Sequence, residues 1–169
     1  MERRKEIKFS LTPDTTSRDF RFIADVMLGR LARWMRFLGF DTLYDHDISD
    51  SRLLRIAREQ DRFILTRDTR LIKVKGIKDY LLINANDSFK QLLEVIDTLK
   101  INQFNPLSRC VTCNGLLTRI LNKQEIKDSV PEFVFLNFSV FLKCGDCGKI
   151  YWEGTHPKKF KEKLHEILK

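Results

Sequence analysis

Four cysteines and three aspartates are the residues of this chain whose type and placement could do chemistry. Cys110-Val-Thr-Cys113 and Cys144-Gly-Asp-Cys147 are two Cys-x-x-Cys pairs, with residues 114–143 between them. Each pair offers two thiolates from one tight turn, and Gly115 and Gly148 let the backbone bend around an ion. Two such knuckles complete a tetrahedral Cys₄ site for Zn²⁺. Protein sulfur fills all four positions and leaves none for water, so the zinc this predicts is structural. The competing reading is a redox-active or incidental pair.

The aspartates are Asp25, Asp50 and Asp68. Together they would make a site for a hard divalent cation, Mg²⁺ or Mn²⁺. Each also stands at or near a predicted helix start, where aspartate is a favoured N-cap, so ligand and cap require the same location. Repetition argues for the ligand. Three caps could have been serine, threonine or asparagine, whereas three convergent carboxylates repel one another unless a cation joins them.

The elements that must position these aspartates alternate. Arg21-Phe-Ile-Ala24 is a short strand ending at Asp25. Met27, Leu28, Leu31, Met35 and Leu38 recur at helical spacing, and Gly39 closes that helix. Thr42-Leu-Tyr44 is a second strand, and Asp50 opens a helix that buries Leu53, Leu54 and Ala57, with Ser49 competing for its cap. Arg62 to Thr66 is a third strand, with Asp68 two residues beyond it. This rhythm predicts parallel βαβ units with ligands at the C-terminal strand edge, where Asp25 and Asp68 fall. Residues 79–84 form a fourth strand, and an amphipathic helix follows over 87–99 with Asp87 or Asn86 as its cap.

The first helix carries a second face. Arg30 and Arg33 lie three apart, with Gly29 beside them and Arg36 continuing the row. For Arg30 and Arg33 a phosphate-contacting stripe weighs equally against the plainer readings, a solvated helix face or pairing with the neighbouring aspartates. For Arg36 the solvated face is the better reading. Gly29 costs helix propensity and suggests close approach by backbone or ligand. Asp45-His46-Asp47 reads as a solvated turn.

Net charge is +8 over 169 residues, with a pI near 9.4, which favours a polyanionic partner and nucleic acid first among them. No apolar run is long enough to span a membrane, and no apolar stretch follows the charged start as in a signal peptide. These features predict a cytoplasmic protein in which paired cysteines bind metal rather than each other. They say nothing of oligomeric state. Ile7, Phe9 and Leu11 alternate as in an edge strand. The expected domains are an extension over 1–20, an α/β domain over 21–104, and a zinc ribbon with a basic terminal helix over 105–169. The β-prone runs Leu116–Ile120, Phe133–Leu142 and Ile150–Glu153 frame the ribbon. Tyr151, Trp152 and Lys149 would either stack bases or pack on the first domain. His156 and His165 read as surface or packing residues.

From Phe22 onward the chain resembles the PIN-like ribonuclease family with a C-terminal zinc ribbon, also found at the C-terminus of an animal exonuclease-like mutator protein. The carriers are Asp25-Val-Met-Leu-Gly-Arg-Leu-Ala-Arg-Trp-Met-Arg36, Leu38-Gly-Phe-Asp41, Leu65-Thr-Arg-Asp68, both cysteine pairs and Tyr151-Trp-Glu-Gly-Thr-His156. The resemblance implies a PIN-like three-layer α/β/α fold with a central parallel sheet, followed by the ribbon. It implies metal-dependent RNA cleavage, with Asp25, Asp50 and Asp68 at the acidic positions and Arg30 and Arg33 at the arginine positions. Related proteins often place another acid two residues after the third-strand aspartate, where this chain has Arg70. The alternative is a non-catalytic RNA- or ribosome-binding module that uses the ribbon and the basic surface. A nucleotide phosphatase would share the acidic edge, but the basic charge and the ribbon argue against it.

Overall fold

The computed structural model describes residues 8–9, 20–152, 154 and 162. Ile7, Leu11, the charged start at 2–6, His156, His165 and, apart from 162, the expected terminal helix lie outside them. In chain order, β1 (Lys8–Phe9) precedes β2 (Arg21–Ala24), a 3₁₀ turn over Val26–Leu28, and α1 (Gly29–Phe37). Next come β3 (Asp41–Tyr44), α2 (Asp50–Glu59), β4 (Phe63–Thr66), β5 (Tyr80–Leu82), α3 (Ser88–Thr98) and β6 (Gln103–Phe104). The remainder is β7 (Leu117–Arg119), a 3₁₀ stretch over Lys123–Ser129, α4 (Glu132–Asn137), β8 (Phe141–Cys144) and β9 (Ile150–Trp152).

The central sheet has the order β3-β2-β4-β5, and every pairing is parallel. Alternation along β2 decides the layers. Phe22 and Ala24 face one core with Leu31, Met35, Leu92 and Val95 of α1 and α3. Ile23 faces the other, with Leu53, Leu54 and Ala57 of α2. Helices therefore cover both faces, as a parallel sheet requires. The chain leaves β2 for β3 on one side and returns to β4 on the other. The crevice between the C-terminal ends of β2 and β4 is thus the topological switch point, the usual ligand position in such sheets.

Local chemistry sets the boundaries. Gly39 ends α1 at a φ of +97°. Its N–H donates to Arg36 O and that of Phe40 to Met35 O, both at 3.0 Å, which is the paired closure of a Schellman motif. A Cβ at Gly39 would collide with the Asn105 carbonyl, so the chain entering the ribbon also requires glycine there. Ser49, rather than Asp50, caps α2 by accepting from Arg52 N, and Asp87 caps α3 by accepting from Phe89 N and Lys90 N.

The ribbon is an antiparallel sheet in the order β7-β8-β9. The expected strand over Phe133–Leu142 is corrected: its first half is α4, which follows Pro131 and begins with Glu132. Phe135 N–H donates to Pro131 O and Phe138 N–H to Val134 O, closing helical turns. Phe133–Leu136 is an unbroken apolar run that carries neither a period of two nor one of 3.6, so composition alone misassigned it.

Candidate active site and metal centre

The cysteines converge. Among the described residues, Cys110, Cys113, Cys144 and Cys147 form the group whose ligand atoms all lie within 4.8 Å of one another. Cys110 Sγ is 3.5 Å from Cys147 Sγ, and Cys113 Sγ is 3.4 Å from Cys144 Sγ. Tetrahedral zinc with Zn–S bonds of about 2.3 Å spaces its sulfurs by about 3.8 Å, so the cluster is close to zinc's dimensions. Its electrostatics are compatible with a cation. Burial opposes ionisation of Cys110, but hydrogen bonds from Tyr151 and from the Cys113 and Thr112 backbone outweigh it and bring the thiol down to about 6. Desolvation followed by the neighbouring sulfurs pushes Cys113 up to about 12. One thiolate is favoured and a second is penalised, and a divalent ion removes that penalty.

Tyr151 is spent on this cluster, with its hydroxyl 3.0 Å from Cys110 Sγ. Trp152 tilts against Phe141 at 6.4 Å between ring centroids. Lys149 Nζ donates to Thr112 Oγ1 at 3.1 Å. All three therefore have packing or hydrogen-bonding partners within the chain.

Arg36 is corrected from a solvated residue to a buried one, 4% exposed. Its Nε donates to Thr42 O and its Nη1 to Thr112 O, each at 2.8 Å, which ties α1 and β3 to the first cysteine knuckle. Burial lowers its affinity for its proton, and the adjacent thiols partly restore it. A second tie runs through Asn114, which has φ +73° in the same knuckle. Its Oδ1 accepts from Thr42 N at 2.9 Å, and its Nδ2 donates to Asp41 Oδ1 at 2.8 Å. Asp41 is itself paired with buried Arg62 at 2.7 Å and with Arg109 at 3.5 Å. Sequence reasoning missed this network. Arg36 carried the signal of a helical row, but the row's third member turns inward.

The aspartates are arranged differently. Asp25 follows β2 at the switch point and is 5% exposed. Its Oδ1 accepts from Val26 N at 2.7 Å, and its Oδ2 accepts from the Thr66 hydroxyl at 2.6 Å. Both donors are neutral, and Asp25 has no ion pair among the described residues. The Thr66 hydroxyl, at the end of β4, accepts in turn from Asp68 N at 2.9 Å. Thr66 thus links the first and third aspartates, a role that its place in Leu65-Thr-Arg-Asp68 did not disclose. Asp68 accepts from Arg70 N at 2.7 Å and also meets the Arg70 guanidinium. Those hydrogen bonds hold its carboxyl below the usual carboxylate range. Asp50 lies exposed in the first turn of α2, freed from capping by Ser49. The three carboxylates line one edge but do not draw together into a close group as the cysteines do.

A family model described as the Mut7-C RNAse domain matches residues 20–164. The chain belongs to the Mut7-C RNAse domain family. No curated protein and no solved structure matches it. Membership in this RNase family makes RNA the implied substrate class. No helix among the described residues is long and apolar enough to cross a membrane.

Around the Mut7-C edge, Arg30 and Arg33 are exposed on α1, and neither makes an ion pair with a described residue. Gly29 precedes them because a Cβ there would sit 2.6 Å from the Tyr44 hydroxyl. That hydroxyl donates to Val26 O at 3.0 Å and braces the turn after Asp25. The close neighbour foreseen at Gly29 is this side chain.

Proposed function

We propose that this Mut7-C chain is a metal-dependent ribonuclease with a PIN-like α/β/α domain over 21–104 and a structural zinc ribbon over 105–169. The observation that carries the reading is Asp25, a buried carboxylate with only neutral partners at the switch point of a parallel sheet. A buried charge with no counter-charge is costly, and such positions persist where a ligand completes them. The donor set of carboxylate oxygens suits Mg²⁺ or Mn²⁺, which would activate a water toward phosphorus and stabilise the developing charge. Asp25, Asp50 and Asp68 would hold the ion. Thr66 fixes the Asp25 carboxylate and the backbone of Asp68 in one geometry. Arg30 and Arg33 would take phosphates of the RNA, where the guanidinium fork is effective. The ribbon's four cysteines would hold zinc and brace α1 through Arg36. Free thiols placed for metal suit a cytoplasmic setting.

One observation favours the second reading, a non-catalytic RNA-binding module: Arg70 already neutralises Asp68. Asp68→Asn separates the two, because asparagine can still accept from Arg70 N through Oδ1. RNA cleavage in Mn²⁺ should fall about 100-fold or more, while fold, zinc content and RNA binding persist. Cleavage equal to the parent's would remove Asp68 from the site. A parent inactive on RNA in Mg²⁺ and in Mn²⁺ would leave the binding module.

A further inference from the structure

One of the three edge aspartates, Asp68, faces a guanidinium of its own chain. Asp68 Oδ1 accepts from Arg70 N at 2.7 Å and from Nε at 3.3 Å, and Oδ2 accepts from Nη2 at 3.2 Å. The fork therefore lies along the carboxylate with two-point contact. Asp25 has no such partner. A guanidinium is thus the counter-charge on the third aspartate, where the proposed function would put part of a divalent ion.

The buried arginine–aspartate pair Arg62–Asp41 differs in kind. Arg62 and Asp41 have side chains only 8% and 18% exposed, and Arg62 also donates to Phe22 O at 3.1 Å. That pair is fixed. The Arg70 side chain is 89% exposed, and its guanidinium donates to Asp68 from both Nε and Nη2. An exposed pair binds weakly and is readily exchanged. A divalent ion on the Asp68 carboxylate and a guanidinium on the same oxygens repel, so each weakens the hold of the other.

We propose that Arg70 is an exchangeable counter-ion: it holds Asp68 until a divalent cation binds, and then turns its guanidinium to an RNA phosphate beside the site. This rests on the metal-dependent reading above. Metal and RNA binding are then positively coupled through one side chain, and the coupling is reciprocal. Removing the guanidinium removes a competitor for metal and a contact for RNA. A purely structural role would predict neither tighter metal binding nor loss of coupling.

The test is calorimetric titration of Mn²⁺ into zinc-loaded parent, Arg70→Gln and Asp68→Asn proteins, repeated with a non-cleavable single-stranded RNA present. Arg70→Gln should bind Mn²⁺ about fivefold more tightly than the parent, in keeping with release of one exposed ion pair. In saturating Mn²⁺ it should bind the RNA about three- to fivefold more weakly, so that the mutual enhancement of metal and RNA disappears. Mn²⁺ binding detectable only in Arg70→Gln supports the exchange in its strongest form. Parental Mn²⁺ binding that Asp68→Asn abolishes but Arg70→Gln leaves unchanged or weakens would overturn the exchange and spare the metal site. Tighter Mn²⁺ binding with unaltered RNA affinity would overturn the phosphate step. Absence of Asp68-dependent Mn²⁺ binding in both parent and Arg70→Gln would overturn the exchange and the metal-dependent reading together.

Discussion

The cysteine cluster and the aspartate edge are both metal-site candidates, yet the chain builds them in opposite ways. The cysteines reach one another through two local turns and one strand pairing, and their sulfurs already stand near zinc's spacing. The aspartates depend on strand order and helix placement, and each has a different partner: neutral donors for Asp25, Arg70 for Asp68 and solvent for Asp50. A closed structural site gains by having its ligands collected in advance, because metal binding then adds directly to folding. An open site that turns over must let its ion, water and substrate come and go. Its carboxylates can remain apart, each satisfied by something that can be displaced.

Breaking the closed site should have the larger effect on stability. Cys110→Ser or Cys144→Ser should release zinc, whose contribution in small zinc modules is about 10 kcal/mol or more. The damage should pass into α1 and β3, because Arg36 and Asn114 bind the first knuckle to both. Hydrogen exchange should therefore rise at Thr42 as well as in the ribbon. Exchange confined to residues beyond Pro106 would mean that the two ties carry little.

Removing the shared brace should come next. Asp41→Ala would leave Arg62 buried without its carboxylate and should cost about 2 kcal/mol in denaturant unfolding, below the cost of breaking a fully buried pair because Asp41 keeps some solvent. The pH dependence follows from its shifted titration. Burial raises the Asp41 pKa, but hydrogen bonds from Arg62 and Asn114 outweigh it, and the folded value lies below the ordinary 3.8. The stability Asp41 contributes is thus fully present above about pH 4 and is lost as pH falls through the folded value. The variant's stability should vary less with pH below 4 than the parent's.

The smallest effect sharpens the open site. Arg30→Gln with Arg33→Gln should weaken RNA binding severalfold in moderate salt and reduce the salt slope by about 1 to 2. Stability should stay within about 0.5 kcal/mol, since both side chains are exposed. An unchanged slope would make them a solvated helix face.

The same contrast explains what could be read in the sequence. The strands at Arg21, Thr42 and Arg62, the helix closed by Gly39 and the cysteine knuckles each carry a local period or a short motif, and each stands where that signal put it. Ser49 and Asp87 cap as their positions suggested. The apolar start of Phe133–Leu142 lacked a period, and that half proved helical. Arg36, Asn114 and Thr66 were opaque for a different reason. Their roles depend on which distant backbone lies beside them, and a polar residue in a helix row or after a cysteine does not encode that. Arg70 was legible as a departure from an acidic position. That its guanidinium would meet Asp68 was not.

Brief chelation of the zinc-loaded protein, with RNA cleavage and bound zinc measured in the same samples, separates a closed structural site from an open catalytic one most directly. Cleavage should stop while stoichiometric zinc and the fold remain, and Mn²⁺ alone should restore activity. Cleavage that survives the chelator, or that declines only in step with zinc, would contradict the division of the two sites.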